Sequence, residues 1–314
     1  MAASLCFSDK LSPMKKIVGY LKEYIAETDK RVGFLSLLFV GALIFCNYYF
    51  GLNRFIVRLS YPMQYLLWFA IFFSAFFVGY WLQTAVKKTS QFRQKNFLAL
   101  LVLAPAIFAW KMMFPLHLTL FTDVFRNQYW NAVLYWPFKV FVVTLMLWIV
   151  HRLFSNEEPF YGVTMKNFLA RPYLVMLLLM MPLVAVASTQ PDFLRMYPRI
   201  QQLLYLSQPD RGWHRLLYEL SYGSDFFAIE LFFRGFLVLA FARYAGKDAI
   251  LPMAIFYCAI HFGKPLGECI SSFFGGIILG VVCYHTRTIM GGFFVHVGLA
   301  WMMELGGYLG RLSS

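Results

Sequence analysis

The stretch that decides how this chain is built is DFFAIELFFRGFLVLAFAR, residues 225–243. It is an apolar run long enough to enter a bilayer, yet it carries Glu230 and Arg234 in its interior. In hydrocarbon an ionisable side chain costs about 2.5–3.5 kcal/mol on insertion scales, so each one needs a reason. Glu230 and Arg234 are four residues apart and share a helical face, with the glutamate N-terminal, which is the favourable order for such a pair. An internal ion pair lets both charges enter the membrane together. It leaves room for a second role for Glu230.

Outward from this stretch, apolar runs recur at residues 33–52, 61–83, 97–116, 131–150 and 172–188, and again at 248–263, 268–285 and 288–310. Hydrophobic residues make up 60% of the 314 and charged residues 14%, and mean hydropathy is +0.61. Soluble domains carry about 25% charge, so a soluble enzyme is excluded. Low charge and high apolarity also oppose disorder. The pattern predicts an all-α, polytopic transmembrane helical bundle of about eight to nine membrane segments. Within the third run Pro105 is a weak point, and Lys111 is expected to snorkel toward the surface. The stretch 189–224 reads as a long polar loop with short helices. It carries Arg195, Arg199, Arg211 and Arg215, with Pro191, Pro198 and Pro209 as breakers.

One membrane domain is the simplest organisation, with three parts. Residues 1–32 form a cytosolic N-terminal amphipathic segment. Residues 33–224 form the N-terminal transmembrane helices and long loop. Residues 225–314 form a site-bearing core. Ile17, Tyr20, Leu21, Tyr24 and Ile25 recur at helical spacing between Lys15, Lys16 and Lys22. That helix either lies on the membrane surface or packs on the bundle.

Lys and Arg number 28 against 15 Asp and Glu, for a formal net charge of +13. There is no Arg-rich stripe with interleaved aromatics, so nucleic acid is excluded as a partner, and membrane lipids are expected instead. The positive charge concentrates on the tail and on alternate loops. This predicts an integral protein of the cell (inner) membrane with a cytoplasmic N-terminus; the arginines of 189–224 are the exception. Of the five cysteines, Cys46, Cys258 and Cys283 lie in apolar runs and read as small core residues. No disulfide framework or structural zinc site is suggested.

The first five runs hold almost no ionisable groups. The later ones hold Asp225, Glu230, Arg234, His261, His296 and Glu304, which places a candidate site in the C-terminal third. His261 ends an apolar segment just before Gly263 and Pro265. His296 stands alone in the middle of another, among Gly291, Gly292 and Gly298. Two neutral imidazoles and a carboxylate can hold a divalent metal, zinc being the candidate, or can bind and deprotonate a water. Glu230, His261 and His296 are therefore candidate catalytic residues and a candidate metal set. Gly276 and Gly280 have the small-xxx-small spacing of close helix contacts.

Taken together, these residues resemble the CPBP family of intramembrane endopeptidases, which includes the type II CAAX prenyl proteases and bacteriocin-processing or immunity proteins. The family pattern is Glu-Glu-x-x-x-Arg, then Phe-x-x-x-His, then His-x-x-x-Asn. Ile229-Glu230-Leu231-Phe232-Phe233-Arg234 is similar to the first motif, Tyr257-x-x-x-His261 to the second and His296-x-x-x-Ala300 to the third. The resemblance covers about residues 225–310. It implies a hydrolase acting on a peptide or membrane-protein substrate, of metalloprotease or glutamate type. Its catalytic set here would be Glu230, His261, His296 and Arg234. In the family, a Glu and the second-motif His activate water, while the third-motif His and Asn stabilise the oxyanion. Two positions depart: the family's first Glu is Ile229 and its Asn is Ala300. Asp225 points about 140° away from Glu230 on an ideal helix and is a poor substitute. Glu304 could serve only if its helix bends.

Three functions follow as expectations. The first is an intramembrane endopeptidase with a water activated by Glu230 and histidine. The second is a catalytically degenerate protein of the same fold with a scaffold or immunity role, in which Glu230 is locked to Arg234. The third is a transporter or lipid-binding protein of unrelated fold.

Overall fold

A computed structural model describes residues 13–155, 158–166, 168–203 and 212–312. Pro209 and Arg211, named above, lie outside the described residues. No strand occurs among the described residues. Among the described residues six helices are long and apolar enough to cross a membrane. They are α2 (Lys30–Tyr49), α4 (Tyr61–Lys87), α5 (Lys95–Met113), α6 (Val124–Phe154), α7 (Ala170–Ala187) and α12 (Leu266–Thr286). The chain is an integral membrane protein built as a polytopic helical bundle. Short helices α1 (Pro13–Glu27), α3 (Leu52–Ile56), α8 (Pro191–Met196) and α10 (Ala242–Ala245) join or flank these, and α9 (Gly212–Glu230), α11 (Ile250–Ala259) and α13 (Met290–Leu312) complete the fold.

The structure departs from the sequence expectation at informative places. α9 begins within the stretch expected as loop, more than ten residues before Asp225, and continues past Glu230 as a π-helix, Leu231–Ala240. The segment expected at 248–263 is a helix of only ten residues, Ile250–Ala259, about 15 Å long at 1.5 Å per residue. That is roughly half the hydrocarbon thickness. The chain then climbs through the turn 260–265 instead of continuing as helix. Non-helical backbone at this depth must find internal partners, and α2 supplies two. Asn47 Nδ2 donates to the Phe262 carbonyl at 2.9 Å and Tyr48 Oη to the Lys264 carbonyl at 2.7 Å.

All ten residues of α11 are buried. Gly276 and Gly280 of α12 make this possible. A Cβ at Gly276 would lie 3.3 Å from Ala254, and one at Gly280 would lie 2.7 Å from Met253. The small-xxx-small spacing is thus the contact between α11 and α12. α1 packs on the bundle through Ile17 and Tyr24, and Tyr20 stacks on His285 at 4.2 Å, while Ile25 stays exposed. At its end Asp29 caps α2 by accepting from the Arg31 N–H at 2.8 Å, and the Arg31 side chain beside it holds the carboxyl below its usual range. Lys111 does not snorkel. It is 6% exposed and turns inward to Asp225 at 2.8 Å, because a half-buried carboxylate on α9 offers a partner that the bilayer surface does not replace. Cys46 is exposed on α2, whereas Cys258 and Cys283 are buried as expected; Cys46, Cys258, Cys269 and Cys283 are all free thiols.

Candidate active site

Three elements meet at the centre of the C-terminal third: the junction of α9 with the π-helix, the end of α11, and the first turns of α13. Glu230 and Arg234 are both 0% exposed. Arg234 Nη1 lies 2.9 Å from Glu230 Oε1. The guanidinium sits over the Tyr257 ring, 4.4 Å from its centroid, so a cation–π contact supplements the ion pair. The π-helix is held from outside by the segment 160–164. Gly235 permits this, since a Cβ there would lie 2.6 Å from the Tyr161 carbonyl oxygen. The same segment accepts from the backbone that leads into α13, Ile289 N donating to the Gly162 carbonyl at 3.0 Å.

His296 completes the arrangement. Its Nδ1 is 2.5 Å from Glu230 Oε1, and its Nε2 is 2.7 Å from the Tyr257 hydroxyl. A carboxylate only accepts, so Nδ1 carries the proton and donates to Glu230, and in the neutral imidazole Nε2 accepts from the Tyr257 O–H. The result is a chain Arg234–Glu230–His296–Tyr257 with both imidazole nitrogens engaged. Glu230 reaches this position because Gly292 has no side chain: a Cβ there would lie 1.9 Å from Glu230 Oε2. Oε2 itself has no hydrogen-bonding protein partner, nor have Arg234 Nε and Nη2.

His261 stands apart from this chain. It lies in the turn after α11, and its Nδ1 donates back to the Tyr257 carbonyl at 2.8 Å, satisfying one of the open acceptors at the helix end. Its ring meets the Tyr257 ring edge-on at 4.7 Å. Glu230, Arg234 and His296 are therefore in direct contact, and His261 lies beside them against the Tyr257 ring. Among the described residues no group of three His, Cys, Asp or Glu side chains is placed to hold a metal ion. The donors as arranged do not fit zinc. Glu230 Oε1 is shared by a guanidinium and an imidazole N–H, His296 has no free lone pair, and a cation already abuts the carboxylate.

The departures from the motif pattern are structural as well. Ile229 is packed against the core beside Glu230. Ala300 is buried against a cluster that includes Tyr129 and Tyr222. Asp225 is committed to Lys111. Glu304 accepts the Arg199 backbone N–H at 3.0 and 2.9 Å, away from His296. One polar residue and one role escaped the sequence reading. Tyr257 was read only as the first position of the second motif, and nothing in its local sequence announces that its hydroxyl closes the imidazole. Lys139 of α6, 3% exposed and bonded to the Tyr135 hydroxyl, could have been found as a lone lysine in an apolar run.

Residues 224–302 match the family described as type II CAAX prenyl endopeptidase Rce1-like. That is about a quarter of the chain, and it is the quarter that carries Glu230, Arg234, His261 and His296. The match agrees with the resemblance read from the motifs and indicates a fold of the CAAX-type intramembrane protease kind. No curated protein and no solved structure matches the chain.

Proposed function

We propose that this chain keeps the frame of a CAAX-type intramembrane protease without its hydrolytic step, and acts by binding a peptide or membrane-protein segment. It works in the cell (inner) membrane with its N-terminus in the cytoplasm. The observation that carries this reading is the closed chain Arg234–Glu230–His296–Tyr257. The carboxylate that survives from the motif holds an arginine and orients an imidazole whose other nitrogen is already capped. The position where the resemblance asks for a water-activating carboxylate is Ile229, a partly buried apolar side chain packed against the core. Ala300, one turn beyond His296, supplies no amide for an oxyanion. Zinc has no part in this reading.

One observation favours the endopeptidase alternative. Glu230 Oε2 is an acceptor without a protein partner, and a carboxylate bonded to His296 Nδ1 leaves Nε2 as a general base once the Tyr257 hydroxyl moves aside. Purified protein in liposomes, offered quenched-fluorescent peptides with and without a prenyl group, separates the two. We expect no cleavage by the natural chain and cleavage by the Ile229→Glu, Ala300→Asn double variant. Cleavage by the natural chain that Glu230→Gln or His296→Ala abolishes overturns the binding-only reading.

A further inference from the structure

The arginines of 189–224 break the charge rule that orients the chain, and two of them, Arg195 and Arg199, are placed differently. Arg199 is drawn inward, its guanidinium over the Tyr222 ring at 5.3 Å. Arg195 instead lines a cavity of about 510 Å³ at the end of the bundle opposite α1, together with Asn47, Arg54, Asp192 and Lys264. Three separate segments build this cavity: the turn from α2 into α3, the helix α8, and the turn 262–266. Lys264 is already engaged, its Nζ 2.9 Å from Glu268 and 2.8 Å from the Tyr197 hydroxyl. Among the described residues neither Arg54 nor Arg195 pairs with a carboxylate. Arg54 folds over Gly51, whose positive φ of 68° turns the chain at the cavity rim.

The level of this cavity in the membrane is marked by its surroundings. Tyr49, Phe50 and Phe55 beside it are 71%, 69% and 57% exposed, and aromatic residues so placed collect at the headgroup layer. Two unpartnered guanidinium groups at that depth match a phosphate, which they can grip through paired N–H donors. The N-terminus of α12, which no side chain caps, reaches the cavity wall at Leu266, whose N–H has the same sign. Asp192, three residues before Arg195 on α8, would repel a bare polyanion and suits a headgroup that carries an amine or hydroxyls beyond its phosphate. We infer that this cavity is a phosphate-binding site for a phospholipid headgroup, held by Arg54 and Arg195.

Native mass spectrometry of the intact protein in detergent tests it, with short-chain phosphatidylglycerol or phosphatidylethanolamine as probe and a phosphate-free diacyl glycolipid as control. We expect the phospholipids to bind at least about tenfold more tightly than the glycolipid. The Arg54→Gln, Arg195→Gln double variant should lose about that factor, as expected for charge-assisted hydrogen bonds. Arg54→Lys, Arg195→Lys should recover part of it. Equal binding of phospholipid and glycolipid by the natural chain overturns the inference, as does undiminished phospholipid binding by a double variant that elutes and melts like the natural chain. Displacement of the lipid by millimolar inorganic phosphate keeps the phosphate site and assigns it to a soluble phosphate.

Discussion

Two ion pairs in this molecule have the same four-residue spacing and opposite fates. Glu230 and Arg234 lie inside one continuous helical segment, both side chains fully buried. Lys264 and Glu268 bridge the turn before α12, with side chains 22% and 18% exposed. Glu268 also takes the Tyr197 hydroxyl at 3.1 Å and sits in the first turn of α12, where the helix end favours an acid. The second pair is thus shared among several partners and wetted at its rim. The first depends on one contact for each charge, plus His296 and the Tyr257 ring. Spacing alone makes the two pairs look equivalent. Burial makes one a keystone and the other a peripheral brace.

Arg234→Ala should break the comparison hardest. It strands a buried carboxylate, and loss of one partner from a buried pair costs about 3–5 kcal/mol. Thermal unfolding in detergent measures it. A loss no greater than that of Glu268→Ala would mean that the two pairs are equivalent after all. Gly292→Ala is next. It leaves both charges in place but puts a methyl where Glu230 Oε2 lies, and overpacking of this kind costs about 1–3 kcal/mol. It should also separate Glu230 from His296, which the imidazole nitrogen shifts in NMR would report. Unchanged shifts would show that Glu230 does not rest on the Gly292 backbone. Glu268→Ala should cost least, about 1 kcal/mol or less, because water screens the pair and replaces the lost partner. Of the three, its effect should be the most sensitive to added salt.

The C-terminal motif region was legible because charges inside apolar runs are conspicuous: Glu230, Arg234 and His296 do meet. His261 was legible as a residue, but the turn of its ring back to the Tyr257 carbonyl was not. The membrane layout was legible from long apolar runs, but α7 and α11 show where that signal stops. Both are apolar on every side. α7 exposes Leu178, Leu179 and Val186 at 61%, 67% and 67%, while α11 has no exposed residue. In a bilayer an apolar side chain is equally at home against lipid or protein, so hydrophobicity does not say which helix is central.

By itself, then, the sequence determined that the chain crosses a membrane many times, and that Glu230, Arg234 and His296 stand inside apolar runs after residue 224. It did so because intramembrane charge is costly and therefore rare. Only the tertiary structure decided that α11 stops half-way and that Glu230 reaches His296 over Gly292. It alone showed that Tyr257 closes the imidazole, and that Arg54 and Arg195, 141 positions apart, face one cavity. Those outcomes depend on how closely separate helices approach, and that distance is set by small residues and shared hydrogen bonds between segments remote along the chain.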